Sequence, residues 1–139
     1  KIFGKDRYNI VAVTHSAGFK NAGEQELADE YAKKMRNLGV KIFTGPMLFH
    51  SWNDYYQKTN NSISTTTIIA DALRIFGQGT KVAVEITAMA ADAGLITLEP
   101  VLSIAGTGKG ADTIILVKPA YSRSLMEMRV LEVVAKPKK

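Results

Sequence analysis

The sequence predicts an α/β domain, a three-layer arrangement around a mixed, mostly parallel sheet. Three observations predict it. A strand-like run, an amphipathic helical pattern and a second strand-like run follow one another within the first 45 residues. Two more helical patterns fill the middle of the chain, and three strand-like runs close it. A strand–helix–strand connection of that length suits a right-handed parallel crossover, while the short spacings near the end bring in at least one antiparallel strand.

Each element has its own signal. "YNIVAVTH" (8–15) is apolar and β-branched and ends in polar residues, the pattern of a buried strand. "GEQELADEYAKKMRNLG" (23–39) reads as a helix, with Leu27, Tyr31, Met35 and Leu38 on one face. Glu24 and Glu26 stand in its first turn and Lys33, Lys34 and Arg36 near its end, which complements the helix dipole. Gly39 is placed to stop it in the left-handed conformation. "VKIFTG" (40–45) is the second strand, and residues 46–63 form a long polar loop bearing His50, Trp52, Tyr55 and Tyr56. Loops of that length are functional, mobile or partly helical, or lay their aromatics over the core.

"STTTIIADALRIFG" (64–77) is a helix that Ser64 or Thr65 can cap. "TKVAVEITAMAADAGL" (80–95) starts with strand-like alternation. Val82, Ile86, Met89 and Ala93 then recur at helical spacing, which decides for a helix ended by Gly94. Glu85 and Asp92 flank its alanine-rich surface and read as solvated or capping groups. Residues 100–106, 113–120 and 129–135 are the closing strands.

Composition narrows the function. A chain of 139 residues fits one domain and can bury a full core. No apolar run approaches the roughly 20 residues that span a bilayer, and Lys1-Ile2-Phe3 leads into charges, not an apolar signal segment. The absence of cysteine removes disulfide and thiolate chemistry and agrees with a cytoplasmic, reducing location. Two histidines, His15 and His50, are too few for a histidine metal cluster, and no metal is expected. The net charge of +5 includes Lys136, Lys138 and Lys139 in a solvated tail. Nucleic-acid binding calls for a basic stripe interleaved with aromatics, and the sequence has none.

The most suggestive segment is "SIAGTGKGADTII" (103–115). It lacks the spacing of a P-loop and the following helix of a dinucleotide fingerprint. What remains is a run of backbone N–H groups that Gly106, Gly108 and Gly110 let curl around an anion, with Thr107 beside it and Lys109 adding a point charge. Asp112 would repel phosphate unless it contacts a sugar hydroxyl or braces the loop. A plain hairpin whose glycines supply positive φ stands as the other reading. In open α/β sheets ligands bind beyond the carboxyl ends of the parallel strands. "THSAGF" (14–19), with Thr14, His15 and Gly18, leaves the sheet at such an end. Should strand 101–105 run parallel to the first strand, both loops converge. No nucleophile elbow or carboxylate pair stands out, so no catalytic residue is assigned. A His15–Asp112 pair across the loops is the arrangement an enzyme acting on a phosphorylated substrate would use.

"VTHSAGFKNAGEQEL", "ADALRIFGQGTKVAVEITAMAADAGLI" and "IAGTGKGADTIILVKPA" together resemble the pyruvate kinase C-terminal-like family of archaeal and bacterial proteins. The family is also described as pyruvate kinase alpha/beta domain proteins. The resemblance runs from about Val11 to Lys138. It implies a stand-alone version of the regulatory domain of pyruvate kinase. No kinase activity is implied, because no residues here supply the catalytic barrel. It further implies a site for a phosphorylated small molecule, flavin mononucleotide (FMN) or a sugar phosphate: the expectation carries over to Thr14, His15, Gly18, Thr107, Gly108, Lys109 and Gly110, and the loop from Gly106 to Asp112 matches the sugar-phosphate loop in position. Two departures stand out. Ala22 replaces the proline usual in relatives, and relatives carry about one strand and one or two helices before the point where this chain starts. The expectation is a single domain over residues 1–139 without the family's first strand and helix. A second copy or a companion chain would then complete the fold.

Overall fold

The computed structural model describes residues 8–108 and 110–138. It is an α/β fold with two small sheets. The first holds β1 (Val11–Val13) and β2 (Lys41–Phe43), paired in parallel with Val11 opposite Lys41 and Val13 opposite Phe43. The second holds β3 (Val101–Ala105), β4 (Thr113–Lys118) and β5 (Arg129–Ala135), antiparallel throughout in the order β3-β4-β5. Among the described residues, parallel pairing is thus confined to β1 and β2. The strand at 101–105 pairs with β4 and not with the first strand, so the convergence of loops expected from one parallel sheet is not how the chain is arranged.

The crossover between β1 and β2 is α1 (Asp29–Asn37). It starts six residues later than its periodicity suggests. The cause is local: side chains that would lie along a first turn are engaged elsewhere. Glu24 accepts from Asn21, Glu26 binds His15 and Lys20, and Gln25 Oε1 accepts from the Leu27 amide at 3.0 Å. Such side-chain bonds compete with the helical backbone ladder. Asp29 and Glu30, not Glu24 and Glu26, therefore face the N-terminal end of the dipole. The C-terminus ends as the sequence indicates. Gly39 takes φ +83°, its amide donates to Arg36 O, and the Val40 amide donates to Met35 O at 3.0 Å, which is a Schellman closure.

The 46–63 segment contains α2 (Trp52–Asn60), stopped by Asn61 in the left-handed region. In α3 (Thr65–Arg74) it is Ser64 that caps, its Oγ accepting from the Thr67 amide at 3.2 Å. Helix α4 (Gln78–Asp92) is the centre of the molecule, buried along almost its whole length. It packs on β3 and β4 through Ala83 and Val84, with Ile115 and Val117 behind them in the core, and it also touches β1 and α3. Small side chains explain this: Ala83, Ala88, Ala90 and Ala91 let strands approach on more than one side. Its first turn meets the β3–β4 connection. A side chain at Gly79 would overlap the Thr113 hydroxyl and the Asp112 carboxylate.

Gly79→Ala tests that contact. Alanine gains about 1 kcal/mol of helix propensity over glycine, whereas overpacking costs about 1–3 kcal/mol. Urea unfolding is expected to show net destabilisation; a stabilised variant would mean that α4 and β4 have room to separate.

Candidate functional site

Two cavities open beside the carboxyl ends of the parallel strands, where ligands of α/β folds gather. The larger, about 600 Å³, is lined by Ser16 and Ala17 after β1, by Thr44, Gly45 and Pro46 after β2, and by Ser51, Trp52 and Tyr55 at the start of α2. Trp52 is 76% exposed, so its ring offers a free face. Ser51 holds a positive φ of 57° while its Oγ accepts from the Met47 amide at 3.0 Å, which fixes the turn that presents Trp52.

The strand ends are tied together. Thr14 Oγ1 and Thr44 Oγ1 are 2.7 Å apart, and the Thr14 amide donates to Phe43 O at 2.9 Å. His15 Nδ1 binds Glu26, which also binds Lys20, and the His15 ring lies 4.2 Å from that of Phe19. Hydrogen bonds from Lys20 and His15 hold the Glu26 carboxyl below its ordinary pKa. Gly18, at φ +78°, closes the turn by donating to Glu24 O at 2.7 Å. Thr14, His15 and Gly18 therefore form one braced turn at the rim.

The smaller cavity, about 170 Å³, lies deeper. Thr14 and His15 line it from β1, His50 from the 47–50 segment, and Gln78, Val82 and Glu85 from α4. At its floor is a buried charge cluster. Lys81 is fully buried and Glu85 is 2% exposed. Lys81 Nζ donates to Glu85 Oε2 at 2.5 Å and lies 3.1 Å from His50 Nδ1 and 5.3 Å from the centre of the Phe49 ring. Glu85 Oε1 accepts from the Phe49 amide at 2.7 Å and stands 3.5 Å from His50 Nδ1. Burial alone would push the Glu85 carboxyl up, but hydrogen bonds from Lys81 and the Phe49 amide hold it below its ordinary value. Burial draws the Lys81 ammonium below its ordinary value, against the pull of Glu85.

This corrects the reading of Glu85 as a solvated or capping group. Asp92 does cap: its Oδ1 accepts from the Ser122 amide at 2.9 Å. Lys81 and Glu85 carried one sequence signal, two opposite charges four apart inside a run of Val, Ala, Ile and Met. That spacing also describes an exposed helical pair, and only burial separates the two.

The glycine loop sits elsewhere. Its described residues line neither of these cavities. The Asp112 amide donates to Ala105 O at 2.9 Å, and a side chain at Gly106 would overlap the Gly110 carbonyl, so the loop folds tightly on itself. Gly108 and Gly110 take positive φ, 104° and 85°. Asp112 braces the loop: Thr113 donates to its carboxylate at 2.7 Å, and hydrogen bonds from Thr113 and Thr107 lower its pKa. Lys109 lies outside the described residues. The His15–Asp112 pair is not formed, since each is bound to other partners. Behind the loop stands the first turn of α4, a helix N-terminus that the sequence order hides, with Asp112 beside it.

Among the described residues no group of three or more His, Asp or Glu is placed to hold a metal, and no helix is long and apolar enough to cross a membrane. No family model matches the chain.

Two outcomes are expected of the buried pair. Lys81→Met and Glu85→Leu should each cost about 3–5 kcal/mol by leaving a buried charge unpaired. The double variant should cost clearly less than the sum, measured by urea unfolding; additive losses would mean the charges do not interact. Acid dependence follows from the Glu85 shift. The unfolded carboxyl takes up protons near 4.5, before the folded one, so its contribution is complete above that pH and is lost as pH falls through the folded pKa. Glu85→Gln should flatten that part of the stability–pH curve, leaving the share of Glu26 and Asp112.

Proposed function

We propose that this domain binds a phosphorylated small molecule, FMN or a sugar phosphate, in a regulatory rather than catalytic role, as a cytoplasmic three-layer domain of the pyruvate kinase C-terminal kind. The observation that carries the reading is the cavity of about 600 Å³ beside the ends of β1 and β2, with Trp52 and Tyr55 on one side and the hydroxyls of Ser16, Thr44 and Ser51 around it. These residues fit a planar ring bearing polar substituents. An aromatic face stacks on Trp52, and the hydroxyls meet ring or ribityl oxygens. On this reading the phosphate rests at the Thr14–His15–Gly18 turn, whose Ser16 and Ala17 line the cavity. A sugar phosphate would use the loop at Gly106, Thr107, Gly108, Lys109 and Gly110 instead, with Asp112 as its brace. Support for that version is the positive φ of Gly108 and Gly110 and the nearby first turn of α4.

A second reading is an interaction module, a subunit of a larger assembly. It is favoured by the outward side chains of the antiparallel sheet, where Leu102, Ile104, Leu131 and Val134 are each about half exposed or more.

Trp52 is the single tryptophan, so its fluorescence reports on the cavity directly. FMN is expected to quench it in a saturable way and riboflavin to bind more weakly. Trp52→Ala should weaken FMN binding at least about tenfold in calorimetry, since stacking on an aromatic contributes about 1–3 kcal/mol. The absence of quenching by FMN, and of heat with either FMN or fructose 1,6-bisphosphate, would end the ligand reading. Light scattering showing a concentration-independent monomer would count against the module.

A further inference from the structure

We propose that the cavity of about 170 Å³ is a separate subsite for a small neutral group bearing a carbonyl oxygen, with the His50 Nε2–H as the donor that recognises it. The argument begins with the proton on His50. Nδ1 of an imidazole either carries a proton or offers a lone pair, so it serves Lys81 or Glu85 but not both. Lys81 Nζ is the nearer, at 3.1 Å against 3.5 Å for Glu85 Oε1. Paired with the Glu85 carboxylate at 2.5 Å, Lys81 acts as an ammonium, a group with donors only. Nδ1 is then the acceptor and the proton resides on Nε2.

His50 and Glu85 of this cluster line the cavity, His50 with its side chain 20% exposed, while Lys81 is fully enclosed. The buried ammonium therefore acts through the ring. A chain of hydrogen bonds from Lys81 through the imidazole to an occupant polarises each link in turn, which makes the Nε2–H a stronger donor than an isolated neutral histidine.

Charge decides what the occupant is. Lys81 and Glu85 cancel one another, and Val82, Ile86 and Met89 make an apolar wall. An anion would meet the Glu85 carboxylate that also lines the space, and a cation would lose its hydration with Lys81 nearby. A neutral group loses neither. Its carbonyl oxygen accepts a hydrogen bond from His50, and the Gln78 amide nitrogen offers a further donor, the Gln78 Oε1 being held by Arg74 Nε at 2.8 Å. This inference does not depend on a phosphorylated ligand in the outer cavity.

The test uses the intact chain with 15N-labelled histidine. The His50 ring nitrogens are expected to show the Nε2–H tautomer in the free protein, and a protonated Nδ1 at neutral pH would overturn the proposal. δ-Valerolactam, a neutral cyclic amide, is then titrated beside cyclohexanecarboxylate. The lactam should shift the His50 Nε2 resonance in a saturable way and the carboxylate should bind at least about tenfold more weakly. His50→Phe, which keeps a ring at the rim, should weaken the lactam about tenfold, the loss of one hydrogen bond to a polarised donor. A carboxylate that binds as well as the lactam, a lactam that leaves Nε2 unmoved, or an unchanged affinity in His50→Phe would each refute it.

Discussion

The bond between Lys81 and Glu85 is the constraint on which the rest of the site depends. Both groups lie on α4, yet the pair does not stand alone. The Phe49 amide donates to Glu85, the Phe49 ring lies beside Lys81, and His50 meets both charges. The 47–50 segment is thereby fixed to the central helix. Downstream of it, Ser51 turns the chain and Trp52 opens α2. Remove the charges and an apolar pair could fill the volume, with stability kept or even raised. What would be lost is the defined position of this segment, and with it the floor of one cavity and a wall of the other.

Helix α4 carries this role because it is a shared wall. Its alanines allow the antiparallel sheet to lie close on one side, while β1 and α3 pack on others. Its first turn meets the glycine loop through Gly79, and Gln78, Val82 and Glu85 line the inner cavity. Three features far apart in sequence, the loop after β1, the segment after β2 and the β3–β4 connection, are thus placed relative to one end of one helix. Asp112 sits beside that helix end, so any phosphate drawn to the glycine loop meets a resident carboxylate there.

Much of this was legible in the residues. The strand–helix–strand start, the stop at Gly39, the cap at Ser64, the choice of helix for the Lys81 segment and the closing strands follow from periodicity and from Gly and Ser placement. The start of α1 was not legible. It depends on Glu24, Gln25 and Glu26 finding partners that come together only in the fold. Nor was the division into two sheets, because strand direction and pairing are tertiary facts that a run of Val and Ile does not encode. Thr14 and His15 follow β1 directly and line the inner cavity. The Lys81–Glu85–His50 cluster escaped because spacing of four says the same thing for a surface pair and a buried one, and because His50 joins it from a segment with no periodicity.

The brevity of β1 and β2 has a bearing on how the molecule comes into being. Each strand has three residues, and their pairing spans the whole of α1. The β3–β4 hairpin, in contrast, closes across the short loop that ends in Asp112. Loop-closure entropy favours the nearer contact, and a parallel pair this short gains little until α4 is present to cover it. On closure entropy alone, the carboxyl-terminal hairpin is the cheaper of the two pairings to form. Both cavities lie at the ends of those two strands, so their walls rest on the pairing that is the more costly to close.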